Sequence, residues 1–532
     1  MGRYITNAFN LLVVIYVALG STACSYGLAI LGSTIGQPSF YSSLDLAPQG
    51  EPGYDRTANL IAAFNGVSSA GACFVALFNS WSADALSRKH TIQIGATILS
   101  IGAALCAASV NSGMFIFSRL FAGFGIGILV TCIPMYPAEV STPETRGFMV
   151  SMHGIMFAVG YGLSSWLGFG MYFISASGSK SSFPWRFPLA FQAVPALLLL
   201  AGSYWLPYRP RWLLQKGRFD EAERVLKQLH SRKDDEHHEQ AVREYYQMKK
   251  QLEHDRAIKA KISRFEVLKT ASNRKRAAIA AAMMWFNMLT GVLIIANYAV
   301  IIFTDLGITG YMPLLLLALW ITASFPGNVF TALYVDRWGR RKFMLVGAVG
   351  LAISLFFECL LQALYSGSSN SAGQKAAIFF IFLFIVFWSS CFDATQYLYI
   401  AEIFPTDIRG QGTAVGMFNQ FAAQVVIVVA GPIALNAIGW KFFLGELDEL
   451  NGTKIQDGPW LTCFSMIVLL VPTAIYIPVI YFFFPETKGR SLEDLNAQFG
   501  DSVAVHYYGA TEEEEKEYAR ALEVEVAGAG KV

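Results

Sequence analysis

The sequence predicts an all-α membrane protein of twelve transmembrane helices in two six-helix halves. Three observations predict it: the apolar residues come in long runs, basic charge alternates from loop to loop, and a set of charged motifs occurs twice in the same order. Hydrophobic residues make up 54% of the 532 and charged ones only 15%, with a mean hydropathy of +0.43. One water-soluble core could not bury that much apolar surface. The runs reach the roughly 20 residues that a helix, rising ~1.5 Å per residue, needs to cross ~30 Å of hydrocarbon.

Twelve runs lie near 8–31, 59–81, 91–110, 113–136, 149–175, 187–206, 279–303, 312–334, 343–364, 376–400, 412–438 and 462–484. The first follows Arg3 and continues to Gly36 without a small-residue cleavage site, so it reads as a retained helix and not as a signal peptide. The start, Met1 to Thr6, fits an acylation pattern that short sequences meet by chance, and one acyl chain adds little to twelve helices. Cys24, Cys73, Cys106, Cys132, Cys359 and Cys391 fall inside the runs and Cys463 at the edge of the last. That placement implies small apolar packing and no extracellular disulfide framework.

Orientation follows from the loops. With the amino terminus inside, the cytoplasmic side holds Arg88-Lys89, Arg146, the basic segment 207–278, Arg337, Arg340-Arg341-Lys342, Arg409, Lys488 and Arg490. Outside are Arg56, Lys180, Arg186, Lys375, Lys441 and Lys454, which satisfies the positive-inside rule. The sequon Asn451-Gly452-Thr453 then falls in the last external loop, making Asn451 the candidate glycosylation site. Between the halves, Phe219, Ala222, Val225, Leu226 and Leu229 recur at helical spacing among charges, which predicts surface helices. The domain reading is a first half over 1–206, cytoplasmic linker helices over 207–278, a second half over 279–484 and a cytoplasmic tail over 485–532.

The repeat is carried by three pairs of motifs. Asp84-x-x-Ser87-Arg88-Lys89 after the second run matches Asp336-x-x-Gly339-Arg340-Arg341 after the eighth. Glu139 precedes Arg146-Gly147 by the same seven residues that separate Glu402 from Arg409-Gly410, and Gly217-Arg218-Phe219-Asp220-Glu221 pairs with Gly489-Arg490-Ser491-Leu492-Glu493. Topogenic charge explains the bases but not acids repeated at fixed spacing. Parallel six-helix repeats place a substrate site at midplane between halves that rock. The paired acids and bases are then a cytoplasmic gate that holds one side shut and breaks on rocking: Asp84, Arg88, Glu139 and Arg146 in the first half, Asp336, Arg340, Glu402 and Arg409 in the second.

The family shows at these residues. Arg119-x-x-x-Gly123-x-Gly125-x-Gly127, Pro134-x-Tyr136-x-x-Glu139 to Arg146-Gly147, Glu402-Ile403-Phe404-Pro405-Thr406 to Arg409-Gly410 and Pro485 to Glu493 resemble, in order and spacing, the signatures of the sugar porters of the major facilitator superfamily (MFS). Pro207 to Leu213 resembles the family's Pro-Glu-Ser-Pro-Arg-Trp-Leu with Tyr208 where Glu is usual. Gly36 to Phe40, His153-Gly154, Gly160-Tyr161 and Asp393-Ala394-Thr395 with Tyr399 resemble the fungal branch of lactose-permease-like and hexose-transporter-like members. The resemblance implies the MFS fold and transport.

It also marks departures. Gly27 aligns with the first-helix carboxylate tied to proton coupling, Gly154 with a hexose-binding Gln, Ser324 with an Asn, and Asn287 to Leu293 with the seventh-helix sugar motif. The remaining polar groups are the substrate-binding candidates: Gln420 and Gln424 on one face of the eleventh helix with Asn419 beside them, Asn287 and Asn297 in the seventh, and Tyr397 at the place of a sugar-capping aromatic. Amides donate and accept, which suits hydroxyl-rich ligands, although membrane bundles also use them to pack helices together. Asp393, nine residues before Glu402 and so ~13 Å inward, is the proton-coupling candidate, since an acid inside the membrane defaults to function. Arg119 lies ~16 Å from it by depth, too far for a direct pair. Glu358 and His153 fall near helix ends, where they need no special role.

The expectation is a plasma-membrane carrier of a sugar or sugar-like solute, not an enzyme, working by alternating access with both termini cytoplasmic. Loss of the first-helix acid favours facilitated diffusion over proton symport. An exporter of fungal secondary metabolites on the same fold, suggested by apolar Met288 and Leu293, and a non-transporting sugar sensor are the alternatives. Its partners are the solute and the lipid bilayer; no nucleotide motif, metal, cofactor or nucleic-acid partner is expected.

Overall fold

A computed structural model describes residues 7–35, 37–47, 52–141, 145–176, 181–230, 242, 245–246, 248–250, 266–305, 308, 310–365, 371–405, 408–437, 460–488, 495 and 498–499, with some helical side chains excepted. The described chain is a helical bundle. Its long elements are α1 (Ala8–Ile35), α2 (Tyr54–Ala85), α3 (Arg88–Ala107), α4 (Ser112–Val140), α5 (Arg146–Ala176) and α6 (Phe183–Phe191, continuing as Ala193–Gly202). The second set is α7 (Ala271–Leu289, then Val292–Asp305), α8 (Met312–Thr322, then Ser324–Trp338), α9 (Arg340–Tyr365), α10 (Ser371–Trp388, Ser389–Asp393, then Thr395–Ile403), α11 (Arg409–Ala437) and α12 (Trp460–Phe483). Among the described residues eleven helices are long and apolar enough to cross a membrane, and α12 adds the shorter apolar stretch Leu469–Phe483.

Most helices outrun their apolar windows. A window closes at the first charge, but the backbone keeps its internal hydrogen bonds to the edge of the hydrocarbon, where no water replaces them. Large apolar side chains such as Phe78, Phe117, Leu198, Phe356, Phe379 and Phe482 point outward, as a lipid-facing surface requires. The halves meet along two seams, α2 against α11 and α5 against α8, while α4 packs on α2 and α3 and α9 packs on α10 and α12.

Four helices depart from the continuous rods expected, α6 and α8 by a single residue each, Gln192 and Ala323. α7 breaks at Gly291, whose φ of +91° is open to glycine at little steric cost. α10 carries a π-helical turn over Ser389–Asp393, a single-turn bulge of the kind found at functional sites. The repeat also shows in the backbone. Ser87 (φ 79°) and Gly339 (φ 93°) take up the same left-handed region between α2 and α3 and between α8 and α9, an uncommon conformation for serine.

In the linker, Pro210–Gln215 and Phe219–His230 form short helices. Ala222, Val225, Leu226 and Leu229 are buried as their spacing predicts, but Phe219 is exposed. The second of these helices is tied to the bundle by Asn7 Nδ2 donating to the Gln228 carbonyl (2.8 Å) and by His230 Nε2 at 2.9 Å from the Val140 carbonyl. The six cysteines among the described residues are buried thiols. Asn451 and Arg490 to Glu493 lie outside the described residues.

Candidate functional site

One end of the bundle gathers the repeated acids and bases. Glu139, at the end of α4, accepts from Arg88 Nη2 (3.2 Å) and from Arg209 Nη1 through both oxygens (2.8 and 2.9 Å). In the second half Arg340 holds Glu402 in a fork, Nε to Oε2 at 3.0 Å and Nη2 to Oε1 at 2.7 Å, and its Nη1 meets Asp336 Oδ1 at 2.9 Å. Tyr136 donates to the Pro207 carbonyl (2.8 Å) and Tyr399 to the Pro485 carbonyl (2.9 Å), so the repeat extends to the tyrosines three residues before each glutamate.

Two interactions cross between halves. Asp336 Oδ2 accepts the backbone N–H of Phe148, in the first turn of α5, at 3.0 Å. Arg409 is buried and its charge acts on Glu139. These interactions tie the two halves together at the charged end. Arg146 is buried at the start of α5, and the Asp84 side chain lies outside the described residues. Sequence reasoning missed three members of this network: Arg209, Glu486 and Thr487. Glu486 accepts the backbone N–H of Arg340 (2.9 Å) and of Arg341 (3.2 Å), and Thr487 Oγ1 donates to Glu402 Oε2 (2.7 Å). Their signal was the shared motif Pro207-x-Arg209 and Pro485-x-Thr487.

Midway along the bundle lies a cavity of about 90 Å³, lined by residues of α1, α2, α4, α5, α7, α8, α10 and α11. At ~10–15 Å³ per water-sized position it has room for a small polar solute. The structure brings Gln420, Gln424, Asn297, Tyr397 and Asp393 to its wall. Gln420 Nε2 donates to the Tyr397 hydroxyl at 2.8 Å, leaving its Oε1 without a partner. Asn297 Nδ2 turns back to the Leu293 carbonyl at 2.8 Å.

Two candidates are placed off the wall. Asn419 Oδ1 accepts from Trp285 Nε1 at 3.0 Å while its Nδ2 donates to the Val415 carbonyl, a helix-packing arrangement. Asn287 stands behind the lining and donates to Gln396 Oε1 at 2.7 Å. Gln396 itself reaches the wall, as do Trp388, Tyr161, Ser324 and Arg119. Tyr161 and Ser324 were noted in the motifs without a site role, and Trp388 carried no pattern to mark it.

Asp393 Oδ2 accepts from Asn328 Nδ2 at 2.8 Å, and Oδ1 has no protein partner. The two glycines at departed family positions have been filled by neighbours. A side chain on Gly154 would run into Asn328 Oδ1 and Ala394, and a Cβ on Gly27 would come within 2.5 Å of Gln192 Nε2. His153 corrects the end-of-helix expectation: it is 1% exposed, 2.7 Å from Ser21 Oγ, and edge-on to Tyr397 at 4.6 Å between ring centroids. Glu358 is likewise buried, because α9 turns that face toward the protein.

Twelve helices in two packed sets, a mainly apolar cavity between the sets with a few polar groups on its wall, and a repeated ion-pair network at one end define an MFS-type membrane carrier. The chain belongs to the family described as "Sugar (and other) transporter", whose model matches residues 13–499. It is 28% identical over 467 residues to "Sugar transporter STL1" of Saccharomyces cerevisiae, covering 85% of this chain and 76% of the relative. It is 26% identical over 502 residues to "Quinate permease" of Neurospora terricola, covering 91% and 87%. The structure of the proton:xylose symporter XylE bound to 6-bromo-6-deoxy-D-glucose superposes with a TM-score of 0.77 at 21% identity, over 93% of this chain and 100% of that one.

Proposed function

We propose that this protein carries a sugar or similar polyhydroxylated solute across the plasma membrane by alternating access, with the charged end and both termini facing the cytoplasm. The observation that carries the reading is the amide- and aromatic-lined cavity between the two seams, with Gln420, Gln424 and Tyr397 on one wall. Amides match hydroxyl pairs, and Tyr397 and Trp388 offer faces for the apolar side of a ring. Facilitated diffusion is favoured, because Arg119 faces the carbonyl of Gly27 where a coupling acid would stand. Asp393 is the remaining coupling group. Met288 and Leu293 also line the cavity, the observation that favours the second reading, export of a less polar metabolite.

The test is uptake of a labelled sugar panel by a yeast strain lacking its own hexose carriers, with and without a protonophore. Saturable uptake that survives the protonophore supports a facilitator; accumulation abolished by it supports proton coupling, which Asp393→Asn then tests as the coupling group. No uptake of any polyhydroxylated solute, with the protein at the plasma membrane, overturns the reading.

A further inference from the structure

Arg119 is a buried cation in the membrane interior. Its side chain is 1% exposed, yet it lines the central cavity. Its Nε donates to the Phe64 carbonyl (3.3 Å) and its Nη1 to the Gly27 carbonyl (3.1 Å). A guanidinium has five N–H donors, so two used leaves three. No carboxylate among the described residues pairs with it. The other charged group on the cavity wall, Asp393, is bonded by Asn328, and Arg119 is not among the groups acting on it. Charges in the membrane interior are otherwise paired or functional, because an isolated one is costly.

Two neighbours are arranged as an uncharged setting for that cation. Gln192 is fully buried with neither amide atom hydrogen-bonded, and its Nε2 occupies the space into which a side chain at position 27 would grow. A side chain at that position would have to displace the Gln192 amide. Ser68 also lines the cavity, one turn along α2 from Phe64, and its buried hydroxyl has no partner. Arg119 and Ser68 thus offer donors on the same wall, with no acceptor of opposite charge.

We infer that the transported solute carries a carboxylate, held by Arg119 with Ser68, while its hydroxyls meet Gln420 and Gln424 across the cavity. The solute class is a polyhydroxylated carboxylic acid: a sugar acid or a cyclic polyol acid. A guanidinium recognises carboxylate by parallel N–H···O bonds, and burial raises the strength of that contact. This deepens the proposed function and rests on it.

The test compares acids with neutral polyols of similar size: gluconate and quinate against glucose and inositol, as uptake by cells expressing the full chain and as competition in proteoliposomes. The expected result is at least a tenfold lower apparent KM for an acid than for its neutral counterpart, with that preference lost in Arg119→Gln. Because Arg119→Gln could fold poorly, a second variant, Gly27→Asp with Gln192→Ala, supplies an internal counter-ion. It should raise KM for the acids at least tenfold and leave any neutral-solute KM within about twofold. Neutral sugars transported as well as or better than the acids by the unaltered protein overturn this inference while leaving the carrier reading intact. Transport of neither class by protein at the membrane overturns both.

Discussion

The two ion clusters at the charged end occupy equivalent places in the repeat but differ, among the described residues, in which side chains hold the repeated glutamate. In the first half one acid, Glu139, is held by two arginines, Arg88 and Arg209, and feels a third, Arg409. In the second half one arginine, Arg340, serves two acids, Glu402 and Asp336. The position that supplies Arg209 in the first half supplies Thr487 in the second. Asp336 accepts across the seam from the N-terminal turn of α5, and the charge of Arg409 in the second half acts on Glu139 in the first. These two interactions join the halves, and in the proposed alternating access they are the ones expected to break while the pairs within each half persist.

That asymmetry sets the largest expected effect. Arg340→Ala strands two acids near the membrane edge, and breaking a buried pair typically costs about 3–5 kcal/mol. Arg88→Ala leaves Glu139 with Arg209 and should cost nearer ~1–3 kcal/mol, the range for one lost bond to a charged group. Melting of the purified proteins checks the ordering: Arg340→Ala should lower Tm the more, and equal or reversed drops would mean the clusters are interchangeable after all.

Next comes the seam itself. Asp336→Ala removes the acceptor for the Phe148 N–H, a bond to a charged group worth ~1.5–3 kcal/mol. Hydrogen exchange of a peptide covering the start of α5 should quicken by about tenfold or more, as closed-state protection weakens by that bond. Unchanged exchange there would show that other contacts hold the charged end shut. In the cavity the effect is smaller and appears in transport. Gln420→Ala with Gln424→Ala should raise KM roughly tenfold at unchanged surface expression, about one net hydrogen bond each. Unaltered KM would remove both amides from the solute.

Much of this comparison was legible in the sequence because the charged motifs are linear. Asp336 to Arg340 and Glu402 to Arg409 are fixed by spacing along single helices and turns, and a repeated spacing reports a repeated geometry. The helices were legible for the same reason, as uninterrupted apolar length. The cavity was less so. Which of Asn287, Asn297 and Asn419 faces a solute depends on helix rotation, and the break at Gly291 and the π turn before Asp393 reset that rotation within α7 and α10. Asn419 and Gln420 are adjacent in sequence, and one bonds Trp285 while the other bonds Tyr397. Gln192 and Asn328 were invisible because each fills space vacated by a glycine on a different helix, a relation that exists only after packing.

The smallest expected effect tests how far the equivalence of the two exits extends. Tyr208 and Glu486 occupy the same place after their prolines. Glu486 caps the first turn of α9 through the Arg340 and Arg341 amides. Tyr208 instead stacks on Trp212 (5.2 Å, 16°), with Lys89 5.0 Å and Arg218 5.7 Å from its ring. Tyr208→Glu exchanges those half-exposed cation–π contacts, ~0.5–1 kcal/mol, for a carboxylate at the N-terminal turn of α3, ~0.3–1 kcal/mol. The two nearly cancel, so Tm should move by no more than a degree or two and transport kinetics should not change. A large loss would mean that Tyr208 organises the linker helices through Trp212. A clear gain would mean that the first half accepts the second half's cap, and that the two exits are built on one plan despite their different residues.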